Sequence, residues 1–227
     1  MDFMMAYLSS LSPINLLMAI PGNIAQGIIW GIMALGVLIT FRLLNFADLT
    51  VDGTFATGGA VTVVLILAGA PVPLALVAAL AAGLLAGTVT GLLNTVLGIP
   101  EILSGILTQI SLWSVNLLIL SGANKAVNVD EYPLIVTLRN VKSSIVTALV
   151  FAAVLICILY WYFGTEQGSA IRATGCNPHM ARAQGINIDF MKVLAISLSN
   201  GLVGLSGGLL AQYQGFADIK MGQGSIV

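Results

Sequence analysis

The chain has 227 residues, 58% of them hydrophobic and 7% charged, with a mean hydropathy of +1.03. A soluble domain carries roughly 25% charged residues, so this composition belongs to the membrane class. Eight Lys and Arg against nine Asp and Glu give a net charge of −1, which supplies no basic stripe and excludes nucleic acid as a partner.

Cys157 lies in an apolar run and Cys176 in a polar loop, so two free thiols are expected. His179 is the only histidine and has no Cys or acidic cluster near it in sequence, so neither a metal site nor a His–Cys nucleophile is expected. No cofactor is predicted. The chain also lacks a G-x-x-x-x-G-K-[ST] phosphate loop, so any ATP it uses has to be bound by another subunit. Residues 1–12 lack the basic start of a cleavable leader.

Charge-free runs mark membrane crossings, because a span needs about 20 apolar residues. Residues 3–41 carry no Asp, Glu, Lys or Arg, but Ser9, Ser10, Ser12, Pro13, Pro21 and Gly22 interrupt the first half. This predicts an interfacial or partly inserted helix over 4–20 and a first full span over 24–40. Residues 53–100 are long enough for two spans, with Ala70, Pro71, Val72 and Pro73 turning between them. Gly83, Gly87 and Gly91 recur every four residues in the second of these and predict close helix packing. Further spans are predicted over 103–120, 144–163 and 193–213. The fold class is therefore an all-α polytopic bundle of about six spans in one domain. Between the fourth and fifth, residues 122–142 carry Lys125, Asp130, Glu131, Pro133 and Arg139 and read as solvated surface.

The polar loop over 164–190 has helix punctuation. Asn177 can act as N-cap, Pro178 suits the first helical position, and Gly185 can close a helix of about two turns in the left-handed conformation. A helix that short is marginal alone and has to be held by its own spans or by a partner. Gly168, Ala170, Ile171, Arg172, Ala173, Gly175, Asn177, Ala181, Arg182, Gly185, Ile186 and Asn187 resemble the coupling-helix signature of permease subunits in the branched-chain amino acid, ribose and nucleoside group of ABC importers. The resemblance implies that Arg172, Gly175, Asn177, Pro178, Ala181, Arg182 and Gly185 form a cytoplasmic docking element for an ATP-binding subunit. It further implies a paired or homodimeric permease, an extracytoplasmic solute-binding protein and a bacterial inner membrane. Charge alone gives no orientation, since Arg42, Arg172, Arg182 and Lys192 on one side balance Lys125, Arg139, Lys142 and Lys220 on the other.

The stretch Leu44 to Phe55, LNFADLTVDGTF, resembles a branch of the same family proposed to carry amino acids such as tryptophan or tyrosine. Asp48 and Asp52 suit the start of a helix, where carboxylates cap free N–H groups; a role in the path is the alternative. In the fourth span Gln109 and Asn116 are seven apart and share a face, which either lines a path or joins helices by hydrogen bonds. Asn45 and Asn94 complete the candidate path residues.

Phe46-Ala47-Asp48-Leu49 recurs as Phe216-Ala217-Asp218-Ile219 at a spacing of 170 residues, with Gly31 matching Gly201 and Leu35 matching Leu205. The two copies follow spans that exit on opposite sides, which is an inverted-repeat plan. Its second half is expected to be incomplete, with the chain truncated at the C-terminus. The sequence thus predicts a non-enzymatic permease subunit of an ATP-driven importer for a small solute, an amino acid on the resemblance. An ATP-independent ion-coupled carrier and a membrane scaffold are the alternatives, and an aspartyl protease built on Asp48 and Asp52 is disfavoured because both sit on one segment.

Overall fold

The computed structural model describes residues 13–128, 132 and 134–224. Six helices are long and apolar enough to cross a membrane, spanning Ile20–Leu44, Thr50–Leu67, Val72–Thr95, Glu101–Leu120, Val141–Phe163 and Ile188–Gln214. In chain order α1 is Pro13–Leu38, α2 Thr50–Leu67, α3 Val72–Thr95, α4 Glu101–Leu120 and α5 Val141–Phe163. Two short helices follow, α6 at Glu166–Cys176 and α7 at Pro178–Ala183, before the long α8 at Ile188–Gln214.

The predicted break between 20 and 24 is not found. The helix runs without interruption from Pro13 through Pro21 to Leu38, so the described part of the expected interfacial helix is continuous with the first span. Residues 4–12 of that expectation lie outside the described residues. A proline is tolerated within a membrane helix where its surroundings compensate for the bond it removes, and one turn of this stretch is tied to α8, the Tyr213 hydroxyl donating to the Gly22 carbonyl at 2.8 Å. At its far end α1 widens into a π turn over Ile39–Leu44, closed by Asn45 at φ 56°.

Helix α8 is the centre of the molecule, with 78% of its apolar window buried, whereas α5 at 11% lies at the rim. Small residues make this burial possible. A Cβ on Gly58 of α2 would collide with the Gly204 backbone of α8, and one on Gly87 of α3 would come 2.7 Å from Ser197 Cα. Gly83, Gly87 and Gly91 all face α8, as their spacing predicted. In lipid, where apolar surface gains little by leaving the acyl chains, such close backbone approach is the main source of association energy. Around it pack Ile29, Ile32, Val51, Phe55, Val63, Val203 and Leu209, with the Trp30 and Phe55 rings stacked 5.2 Å apart.

At the end of the bundle where α4 and α8 finish, β1 (Asn124–Ala126) pairs antiparallel with β2 (Phe216–Asp218), Lys125 opposite Ala217. These are the strands found among the described residues. Asp130, Glu131 and Pro133 of the predicted surface loop lie outside the described residues.

The repeat is visible in the geometry. Ser206 Oγ donates to the Ile29 carbonyl at 2.7 Å, and Ser199 Oγ donates to the Gly36 carbonyl at 2.7 Å. At the spacing of 170, positions 29 and 36 correspond to 199 and 206, so the two bonds join corresponding pairs of positions, with the donor on α8 in both. That correspondence fits the inverted-repeat plan. The loops after them agree: Asn45 and Gly215 are both left-handed, and Asp48 and Asp218 each accept from the N–H two residues on, at 2.9 and 2.7 Å.

Candidate functional site

Two groupings of polar residues stand out, one inside the bundle and one at its end. The inner one begins with Asp48, which is fully buried between α1 and α2. Its Oδ1 accepts from Thr50 N, and its Oδ2 accepts from Asn200 Nδ2 at 2.7 Å. Asn200 in turn accepts from Thr54 Oγ1 at 2.8 Å, and Thr50 and Thr90 share a hydroxyl contact of 2.8 Å. A buried carboxylate is costly unless every oxygen is engaged. Here both are, and the network ties the α1–α2 turn to α2, α3 and α8.

The second part of the inner grouping lies between α2 and α4. Asn116 is buried and its Nδ2 reaches the Gly53 carbonyl at 3.5 Å, while its Oδ1 has no partner. A Cβ on Gly53 would sit 3.1 Å from Gln109 Cα, so Gln109 and Asn116 do share the α2-facing side of α4. Asp52, half-buried on the first turn of α2, accepts from Gly224 N through its Oδ2 at 3.1 Å. Asp48 and Asp52 thus hold different partners and form no carboxylate pair of the kind a protease needs. Asn45 is exposed at the end of the π turn, and Asn94 stands apart, donating to the Ile99 carbonyl at 2.8 Å to fix the α3–α4 turn.

Not anticipated from the sequence were Asn200, which donates to Asp48, and Thr54 and Thr90, which extend the network through Asn200 and Thr50. Asn200 was detectable as a lone amide within an apolar span. Gln212 was detectable in the same way; it is buried, and neither its Oε1 nor its Nε2 has a partner.

At the end of the bundle the punctuation of the polar loop folds as predicted. Asn177 Oδ1 accepts from Met180 N at 3.1 Å, Pro178 opens α7, and Gly185 is left-handed at φ 83°. The preceding helix α6 was not predicted; Thr165 caps it, and at Gly175 it runs so close to the Leu43 carbonyl that a Cβ would collide. The loop is therefore pinned to the end of α1. On α7, Ala181 turns inward at 3% exposure, while His179 and Met180 face outward, Met180 at 60%. Arg182 and Asp189 approach to 4.0 Å across exposed surface, a contact worth little. Arg172 points elsewhere, over the Phe163 ring at 5.6 Å.

Residues 19–227 match the family described as branched-chain amino acid transport system, permease component. The chain belongs to this family. Among curated relatives, the permease is 36% identical to a tyrosine transport system permease protein of Clostridioides difficile, over 89% of this chain and 67% of that one. It is 29% identical to the galactofuranose transporter permease protein YtfT of Escherichia coli, over 76% of this chain and 49% of the other. An autoinducer 2 import system permease protein, LsrC of Salmonella typhi, is 26% identical over 85% and 55%. No solved structure is a significant match. Family and spans together make the chain a multi-pass inner-membrane ABC permease component, not itself an enzyme.

Proposed function

We propose that the permease imports an amino acid, an aromatic one such as tyrosine, and is driven by a separate ATP-binding subunit that docks on α7. The observation that supports this most directly is the build of α7. It is capped at both ends, anchored through Ala181 and the Gly175–Leu43 contact, and presents His179 and Met180 outward without using them in the fold. A six-residue helix cannot hold itself in water, so one held this firmly with an unused outer face suits a partner's cleft. The Gly175, Asn177, Pro178, Arg182 and Gly185 positions serve it, Gly175 and the caps setting its place and Arg182 lying on its exposed side, whereas Arg172 stands over Phe163 and is left out of the docking face.

In this reading the loop faces the cytoplasm. Closure of the ATPase pulls α7, and the pull reaches α1 through α6 and enters α8 through Asn187, whose side chain caps α8 by accepting from Phe190 N at 3.1 Å. The Asp48–Asn200 network links α8 to α2 and α3, so those three move as one body. An external binding protein supplies the solute, and a second permease chain completes the path. Asp52, Gln109 and Asn116 on the α2–α4 face are the residues proposed to meet the solute, with Asn116 Oδ1 the acceptor left open for it. The amino-acid assignment rests on the resemblance at Leu44 to Phe55 and on the name of one relative.

An ion-coupled carrier is the weaker reading, because such carriers place ionisable residues within their spans. In the described spans the charged side chains, Arg42, Asp52, Glu101, Lys142, Asp189 and Lys192, all lie within about five residues of a helix end. The test is affinity purification from the native membrane in mild detergent. An ATPase should accompany the permease and be lost on Met180→Glu; a stable permease that brings none, or keeps it in that variant, overturns the docking proposal.

A further inference from the structure

Where α5 meets α6, a guanidinium stands beside apolar surface with no counter-ion. Arg172 is exposed, lies over Phe163, and forms no ion pair among the described residues. Two adjoining depressions share it. One, of about 250 Å³, runs between α1 and α5 and is lined by Leu35, Leu38, Ile39, Leu43, Ile156 and Leu159. The other, of about 480 Å³, sits at the α5–α6 turn and includes Trp161 and Thr165. Arg42, also exposed, follows Leu38 by one helical turn and so shares its face. Tyr160 and Trp161 are 86% and 73% exposed at the same level, the pairing of aromatics with cations that marks a membrane–water interface.

We propose that this groove is a binding site for an anionic phospholipid. One acyl chain lies between α1 and α5, and the phosphate meets Arg172, with Arg42 as the second cation at the headgroup. A zwitterionic lipid would fill the apolar part equally well, so the cations are what discriminate. A guanidinium grips phosphate through two parallel N–H donors, and its hold strengthens where an aromatic face shields it from water. The proposal stands on the spans and on this geometry and does not depend on what the permease carries. It gives α6 a second brace next to its contact with Leu43, so headgroup charge would reach the surface of α7.

The test uses the intact chain carrying Trp30→Phe and Trp113→Phe, which leaves Trp161 as the reporter. It is reconstituted in phosphatidylcholine vesicles containing a minor fraction of either bromine-tailed phosphatidylglycerol or bromine-tailed phosphatidylcholine. At equal mole fraction, the anionic lipid is expected to quench Trp161 with about five- to tenfold higher apparent affinity, and Arg172→Gln to remove most of that preference. Arg172→Lys, which keeps the charge, should retain part of it. Equal quenching by the two lipids in the unsubstituted background overturns the proposal, whether or not the variants insert. So does a preference unchanged in Arg172→Gln combined with Arg42→Gln, or one abolished by millimolar free phosphate, which would make the site one for soluble anions.

Discussion

Asn200 carries three hydrogen bonds, to Asp48, Thr54 and the Ile196 carbonyl, inside an apolar helix. Hydrogen bonds between membrane helices are individually worth about 0.6 kcal/mol. Removing this one residue does more, because it leaves the buried Asp48 oxygen without a donor. Asn200→Ala should therefore cost about 1–3 kcal/mol, seen as a lower unfolding midpoint in detergent. Adding Asp48→Ala to it should cost less than the sum of the single changes, since both remove one network. Strict additivity would mean the two side chains are not coupled. Of the partners of Asp48, Thr50 N lies two residues on and suits the helix-start reading, but the pairing with Asn200 was not legible, because 152 residues separate the two and no local pattern spans that distance. The caps of α7 were legible for the opposite reason: Asn177, Pro178 and Gly185 act within one turn of themselves, and local chemistry fixes them.

At the scale of elements, the glycines decide which helices touch. Gly58→Ala places a methyl against the Gly204 backbone and should destabilise by about 1–3 kcal/mol or more. Gly31→Ala, with nothing within 4 Å of its Cβ, should be neutral or slightly stabilising. Comparable loss in both variants would show that glycine acts through the backbone and not through packing. The loop gives a parallel contrast. Ala181→Glu buries a charge and Gly175→Glu drives α6 away from Leu43, so both should lower the amount of folded permease. Met180→Glu alters only exposed surface and should leave that amount unchanged while reducing ATP-dependent uptake at least tenfold. Span number and the α2–α3 turn were readable from charge-free length. The continuity of α1 through Pro21 was not, since local signals from proline and Gly22 suggest a break, whereas this stretch packs against α8, with Tyr213 bonded to the Gly22 carbonyl. Helix α6 was not legible because its buried face is only Gly168, Ile171 and Thr174, too small for a clear apolar pattern, and contact with α1 at Gly175 fixes it.

For the whole molecule, the Ser206–Ile29 and Ser199–Gly36 bonds join pairs of positions related by the spacing of 170, as the inverted-repeat plan requires of α1 and α8. Ser199→Ala and Ser206→Ala should each cost about 0.6 kcal/mol, by equal amounts within error. A large effect at one and none at the other would argue that the relation is sequence coincidence. In transporters built on inverted repeats, solute sites lie near the axis relating the halves, and a Cβ on Gly222 would collide with the carbonyl of Asp52, the residue it matches at the spacing of 170. Asp52 thus meets its counterpart in the repeat, and the adjoining Gly53 contacts both Asn116 and Gln109. Import along this path is proposed to be ATP-driven. Its most direct test is uptake of labelled tyrosine into vesicles holding the permease, its ATPase and its binding protein, with ATP or a non-hydrolysable analogue supplied on the ATPase side. The account predicts accumulation with ATP alone, abolished by Met180→Glu; accumulation driven by a proton or sodium gradient without ATP would contradict it.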